Sequence, residues 1–102
     1  MTSLTGRQKR FLRGMGQALR PAVVVGKEGA TPGIVAAATE ALSRRELIKI
    51  RVPPGPAAAR KAMARNLASR SLAACVGVVG RTALLYRPGE TLDAECRIRL
   101  PE

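Results

Sequence analysis

Hydrophobic residues follow two different periods along the chain, and segments of the two kinds alternate. Apolar side chains recur at helical spacing in three segments, residues 5–18, 31–45 and 57–71. Four short runs are β-branched, apolar or alternating and favour strands, residues 22–25, 47–52, 75–79 and 82–86. The predicted order is therefore helix, strand, helix, strand, helix, strand, strand.

Capping and turn residues mark the ends of several of these elements. Thr5 and Gln8 have the spacing of a capping box at the start of the first helix. Thr31 followed by Pro32 is typical of a helix start, because an N-cap residue precedes a proline at the first helical position. Gly80-Arg81 separates the last two strands and predicts a two-residue hairpin turn.

The order of elements predicts an α/β fold with one mixed, four-stranded sheet packed with helices. Two strand-helix-strand units imply parallel pairings reached by right-handed crossovers, and the final hairpin adds an antiparallel pair. A chain of 102 residues is too short for two well-buried cores, so we expect one compact domain over residues 1–88. The remaining polar tail, residues 89–102, includes a possible edge strand at 96–100.

Charge narrows the choice of partner. The chain has 18 Lys and Arg residues against 7 acids, a net charge of +11, and residues 1–87 hold 16 of the basic groups and three of the acids. Such an excess repels itself unless an anionic partner neutralises it, and nucleic acid is the commonest polyanion. A membrane surface fits less well, because no helix combines a broad apolar face with interfacial aromatic residues. We expect a cytoplasmic protein with no membrane association.

Composition excludes several kinds of chemistry. The chain has no His, and its two Cys residues form no C-x-x-C motif, so no zinc or redox site is predicted. Residues 1–87 contain three scattered acids, Glu28, Glu40 and Glu46, which form no general acid-base pair. We therefore expect no enzymatic activity, cofactor, metal or small-molecule substrate.

A glycine loop, Gly26-Lys27-Glu28-Gly29, joins the first predicted strand to the helix that starts at Thr31. Glycines let the backbone approach a phosphate, and the helix start offers unpaired N–H groups to the same anion. An ordinary strand-to-helix turn, in which glycine supplies a positive φ, explains the same residues. Two further basic surfaces are predicted on neighbouring elements: one strand face carries Lys49 and Arg51, and the first helix carries Arg7, Arg10 and Arg13.

Motifs in the right order along the chain resemble the YhbY family, the stand-alone bacterial form of the CRM domain (chloroplast RNA splicing and ribosome maturation). They are Gln8-Lys9-Arg10, Leu19-Arg20-Pro21, residues 24–29 with Thr31, residues 46–50, residues 79–82 and residues 85–88. Glu28 departs from the pattern because it places an acid inside the glycine loop.

The resemblance implies an RNA-binding domain similar in fold to the C-terminal domain of translation initiation factor three, with a glycine loop comparable to that of KH domains. It implies ribosomal RNA in precursors of the large subunit as partner, and a role in ribosome biogenesis. By position it makes the following residues candidate RNA contacts: Gly26, Lys27, Gly29, Lys49, Arg51, Arg81 and Arg87. Arg10 and Arg13 join them as part of the basic first helix.

Two other functions remain open at this point. A small structural ribosomal protein is equally basic, and a DNA-binding module is a weaker alternative because the helix after Thr31 offers mainly Ala and Val for base reading. With one Phe, one Tyr and no Trp, phosphate and shape contacts should dominate over base stacking. We expect the protein to act as a monomer.

Overall fold

The computed structural model describes residues 4–89, 92 and 97–102. Its elements confirm the predicted order: α1 (Gly6–Gly16), β1 (Pro21–Val24), α2 (Pro32–Arg45), β2 (Leu47–Arg51), α3 (Ala57–Arg70), β3 (Ala74–Val79) and β4 (Thr82–Tyr86). The possible strand at 96–100 is not seen, since residues 97–100 lie in no strand and Cys96 falls outside the described residues.

Local hydrogen bonds show why the helices begin where they do. The Thr5 hydroxyl accepts from the Gln8 amide at 3.1 Å, and the Gln8 side chain accepts from the Thr5 amide at 3.0 Å, so the capping box is complete. The Thr31 hydroxyl accepts from the Ile34 amide at 3.3 Å and caps α2. The predicted hairpin turn forms with Gly80 at φ 58°.

The strand order is β1-β2-β4-β3, which corrects one expectation. β1 and β2 are parallel neighbours, but the expected second parallel pairing, between β2 and β3, does not form because β4 lies between them and is antiparallel to both. Residues 83–86 of β4 are all buried, so both faces of this strand are covered. A strand of this kind belongs in the interior of a sheet, where both of its edges are hydrogen-bonded.

The two faces of the sheet are covered differently. On one face Ile48, Ile50 and Leu85 pack with α2 and α3 in the larger core cluster. On the other, which we call the α1 face, buried Leu12 of α1 packs with Leu84 and other strand residues. Partly buried Leu4, Leu19, Ile98 and Leu100 complete this second cluster. The alternation along β2 is therefore confirmed, and the described end of the tail packs against the body.

Glu46, between α2 and β2, holds the tail to the body. It is 1% exposed and has a positive φ of 61°. Its carboxylate accepts hydrogen bonds from the amides of Gly89, at 2.6 Å, and Ile98. Burial, together with the Glu46 charge, raises the pKa of nearby Tyr86. The amides of Gly89 and Ile98 thus supply the hydrogen bonds that the buried Glu46 carboxylate requires.

Replacement of Glu46 should make the protein easier to unfold. In Glu46→Ala the two tail amides lose a charged acceptor, and hydrogen bonds to charged groups contribute about 1.5–3 kcal/mol each, so we expect a loss of roughly 3 kcal/mol in unfolding free energy by urea titration. Glu40→Ala is the control, because the Glu40–Arg44 ion pair is solvent-exposed and its loss should cost less than about 0.5 kcal/mol. Equal urea midpoints for the two variants would contradict the assigned role of Glu46.

Two glycines of α1 provide a matched pair. A Cβ at Gly14 meets nothing within 4 Å, whereas a Cβ at Gly16 overlaps the Leu84 side chain. We expect Gly14→Ala to raise the melting temperature, since alanine stabilises a helix interior by up to ~1 kcal/mol over glycine. Gly16→Ala should lower it, because overpacking costs about 1–3 kcal/mol. If Gly16→Ala also melts at a higher temperature than the parent, the close packing of α1 on β4 is contradicted.

Candidate nucleic-acid interface

Three segments distant in sequence meet at one edge of the sheet. The Val25 amide donates to the Arg51 carbonyl at 2.8 Å, and the Val52 amide donates to the Arg81 carbonyl at 2.8 Å. The glycine loop that follows Val25 therefore lies at the same edge as the end of β2 and the start of β4. We call this the basic edge: residues 26–29, Arg51 and Arg81.

The glycine loop is a tight turn in which the two glycines differ. The Gly29 amide donates to the Gly26 carbonyl at 3.0 Å, and Gly29 has a φ of 76°. Gly26 lacks a positive φ, and a Cβ there meets nothing within 4 Å. The backbone thus requires glycine at position 29 only, while Gly26 keeps the exposed surface of the loop open. Lys27 and Glu28 are both exposed at its tip.

The start of α2 offers fewer amides than the sequence suggests. Thr31 accepts from the Ile34 amide through its hydroxyl and from the Val35 amide through its carbonyl. Pro32 has no N–H. Within the described segment 4–89, Gly33 is thus the one amide of the first turn that these contacts leave available to an anion. The helix dipole still favours negative charge at this position.

A groove on the α1 face adjoins the basic edge. Its volume is about 340 Å³, and it lies between the end of α1 and strands β2, β4 and β3. Half-buried Lys49 and the Arg13 side chain line it. A Cβ added at position 77 would lie only 3.3 Å from the Arg13 Cδ atom. Glycine at this position therefore lets the aliphatic part of the Arg13 side chain lie across β3. We call this the α1 groove. Arg10, one turn earlier on α1, is exposed.

Arg87 lies elsewhere. It follows Tyr86, which pairs with Leu47 at the start of β2, so it is at the opposite end of the sheet from the glycine loop. Its guanidinium donates to the carbonyls of Ser71, at 3.1 Å, and Thr39, at 3.4 Å. The structure therefore brings the glycine loop, Arg51 and Arg81 together, with Arg13 and Lys49 in the adjoining groove. Arg87 lies apart from them, and its contacts tie α2 to the segment after α3.

Arg60 belongs near the basic edge although the sequence did not single it out. Its guanidinium donates to the Gly80 carbonyl of the hairpin turn and to the Gly55 carbonyl, the latter at 3.1 Å. The short connector at residues 53–56 indicates this position in the sequence. A link of so few residues keeps the start of α3, and with it Arg60, close to the end of β2.

Among the residues that the structure describes, no carboxylate forms a salt bridge with a cation of this surface. Within the described residues the one salt bridge joins Arg44 to Glu40 at 3.0 Å, on the exposed side of α2. Hydrogen bonds to backbone carbonyls orient Arg60 and Arg81 without neutralising them, and Arg81 donates to the Val52 carbonyl at 3.3 Å. The surface is therefore organised by the backbone and remains positive.

Other kinds of site find little support in the described part of the chain. It contains no group of three or more His, Cys, Asp or Glu side chains that could hold a metal ion. Burial raises the pKa of the Cys75 thiol despite nearby Arg65, so this thiol is a poor nucleophile at neutral pH. Among the same residues, no helix has the length and apolar character needed to cross a membrane.

Comparison with known proteins identifies the fold and the family. The pattern that defines the CRS1 / YhbY (CRM) domain matches residues 4–87. The chain belongs to this family. The CRM domain accounts for the whole sheet and all three helices, since residues 4–87 include α1 through β4.

Relatives of this CRM domain carry consistent names. The chain is 36% identical to a Haemophilus influenzae protein named "RNA-binding protein", over 99% of this chain and 98% of that protein. It is 38% identical to the Bacillus subtilis "Probable RNA-binding protein YqeI", over 82% and 88% of the two chains. A solution structure of the Staphylococcus aureus protein SAV1595, described as a candidate RNA-binding protein, superposes with a TM-score of 0.82 at 32% identity and covers 97% of this chain and 100% of that one.

Substitutions of Arg87 and Arg51 should differ in their effect on stability, because the two side chains lie in different surroundings. Arg87→Ala removes two contacts to backbone carbonyls at a half-buried site, so we expect a loss of about 2 kcal/mol in unfolding free energy. Arg51→Ala, at an exposed strand position, should change stability by less than about 0.5 kcal/mol. Urea titration measures both, and an unchanged midpoint for Arg87→Ala would show that its contacts do not support the fold.

Proposed function

We propose that this CRM domain binds RNA, without catalysis, through the basic edge and the adjoining α1 groove. One observation carries the proposal: the fold gathers Lys27, Arg51 and Arg81 from three separate segments at one edge, with no described carboxylate in a salt bridge to any of them. A relative named as an RNA-binding protein, aligned over 99% of this chain, supports the same function.

Each part of the surface suits a different part of an RNA backbone. The glycine loop presents exposed backbone and the Lys27 ammonium to one phosphate, with the start of α2 behind them. Arg51 and Arg81 supply guanidinium groups, which bind phosphates in a bidentate manner. Arg13 and Lys49 extend the positive surface into the α1 groove, and Arg10 extends it along the helix. Glu28 opposes phosphate binding at the tip of the loop.

Precursor ribosomal RNA of the large subunit is the partner that we propose, with a role in subunit assembly. The family's link to ribosome maturation supports this partner, and a monomer in the cytoplasm suits the role. A structural ribosomal protein would have the same charge but would stay in finished subunits. Sedimentation of a cell extract distinguishes the two: an assembly factor migrates with precursor particles and is absent from mature ribosomes.

The exposed side of α2 disfavours a DNA-binding role for that helix. Its exposed positions at the start are Pro32, Gly33, Ala36 and Ala37. None of these has a side chain that could read a base edge by hydrogen bonding.

Salt should weaken RNA binding steeply if the basic surface is the contact. Counterion release gives a log-log slope of about −0.7 per phosphate neutralised on single strands, so four contacts predict a slope near −3. Affinity measured between roughly 50 and 200 mM salt provides the slope. A value shallower than about −1.5 would show that charge is not what holds the RNA.

The loop can be tested without disturbing the fold at Gly26. Gly26→Asp places a negative charge where a Cβ meets no neighbour, so the melting temperature should stay the same while RNA affinity falls about tenfold or more. Gly26→Ala is the neutral control and should bind nearly as well as the parent. Lys27→Ala should reduce the salt slope by about one unit, and Lys61→Ala on α3 should leave it unchanged. If Gly26→Asp binds like Gly26→Ala, the loop is only a turn.

A further inference from the structure

One row of the α1 face is left uncovered by the helix. The cross-strand pairs are Val24 with Arg51, Arg51 with Thr82, and Thr82 with Val79, so these four residues form a continuous row across all four strands. α1 covers the next row on this face instead, since Leu84 pairs with Gly77, Gly16 packs on Leu84 and Arg13 lies across Gly77. The row spans three inter-strand spacings, about 14 Å.

The composition of the row is unusual for the exposed face of a sheet. Val24 is 62% exposed and Val79 is 72% exposed, although both are apolar and lie in strands. Arg51 lies between them and is also exposed. The α1 groove, with Arg13 and Lys49, borders the same row. Apolar side chains thus lie at the two ends of a strip whose centre and flank are cationic.

We propose that this row is a subsite for unpaired nucleotides of RNA. One base packs on Val24 and another on Val79, and the phosphate between them is held by Arg51, with Arg13 and Lys49 beside the strip. The proposal deepens the RNA-binding function proposed above and rests on it. It names the part of the RNA that the sheet face recognises, whereas the glycine loop contacts backbone of any conformation.

Charge complementarity favours RNA as the occupant over an apolar protein surface. Such a surface would have to bury Arg51 and Lys49 without partners, which is costly. A nucleic acid brings a phosphate for each nucleotide and an apolar base face beside it. Unpaired nucleotides fit better than a duplex, because bases in a duplex are stacked on each other and a double helix presents mainly phosphates and ribose hydroxyls.

The experiment compares single-stranded and duplex RNA as probes, at one salt concentration, with the full chain. The test variant is Val24→Ser with Val79→Ser, which removes apolar surface without touching a charge. Both side chains are largely exposed, so the melting temperature should change little. The control is Leu72→Ser, because Leu72 is 73% exposed and lies before β3, away from the basic edge.

We expect the double variant to bind an unstructured single strand about tenfold more weakly, since the contact loses two exposed valines that bound RNA would partly cover. Duplex affinity should stay within about twofold of the parent, and Leu72→Ser should bind both probes normally. Gly26→Asp, in contrast, should weaken binding of both probes.

Three results would overturn the subsite. In the first, the double variant binds the single strand as tightly as the parent. In the second, it loses affinity for both probes equally, which makes the valines a general contact. In the third, the double variant changes the oligomeric state seen in sedimentation equilibrium, so that the row is an interface between two copies of the chain. Failure of the parent to bind either probe would instead refute the RNA-binding function itself.

Discussion

The central position of β4 is the constraint on which the rest of the structure depends. Its residues alternate between the two cores: Ala83 and Leu85 face α2 and α3, while Leu84 and Tyr86 face α1. Because β4 is antiparallel to β2 and β3, its start lies beside the ends of β2 and β3. The hairpin turn and Arg81 are thereby brought to the edge where the glycine loop begins. A single strand thus supports both layers of helices and also assembles the basic edge.

On the second face of the sheet, α1 and the tail cover one part and leave another part uncovered. Leu12 and the apolar tail residues Ile98 and Leu100 bury one end, near the start of β2. The other end is left to Arg13, Lys49 and the row from Val24 to Val79. Small residues make this division possible, since Gly16 and Gly77 let α1 and its arginine lie directly on the strands.

The sequence was a good guide wherever the determinants are local. Capping residues, the Gly80-Arg81 turn and the alternation in β2 are short-range features, and the elements that they predict are all present. The pairing of β2 with β4 was not foreseen, because a strand-helix-strand unit fixes only the direction of its strands and not what lies between them. The location of Arg87 at the opposite end of the sheet was not foreseen for a related reason, since its neighbours Ser71 and Thr39 are distant in sequence.

The role of Glu46 was also hidden from the sequence. A lone glutamate at the end of a helix is ordinarily exposed to solvent. Nothing near Glu46 along the chain identifies its partners, Gly89 and Ile98. The positions of Lys27, Arg51 and Arg81 in the fold were easier to predict, because these cations lie on strands and turns whose ends were already assigned. The exposure of Val24 and Val79 was not foreseen, since it depends on where α1 ends over the sheet.

The contact between Gln8 and the tail has a consequence for the geometry of attachment. The Gln8 side chain donates to the Pro101 carbonyl at 3.0 Å, so the first turn of α1 and the last residues of the chain lie side by side. The tail reaches this position past Glu46, at the end of the sheet opposite the glycine loop. A surface or a label attached beside the first turn of α1 or beside Pro101 therefore lies at the end of the domain opposite the basic edge. The basic edge then faces away from the attachment, and a link between the start of α1 and residues 97–102 needs only a short span.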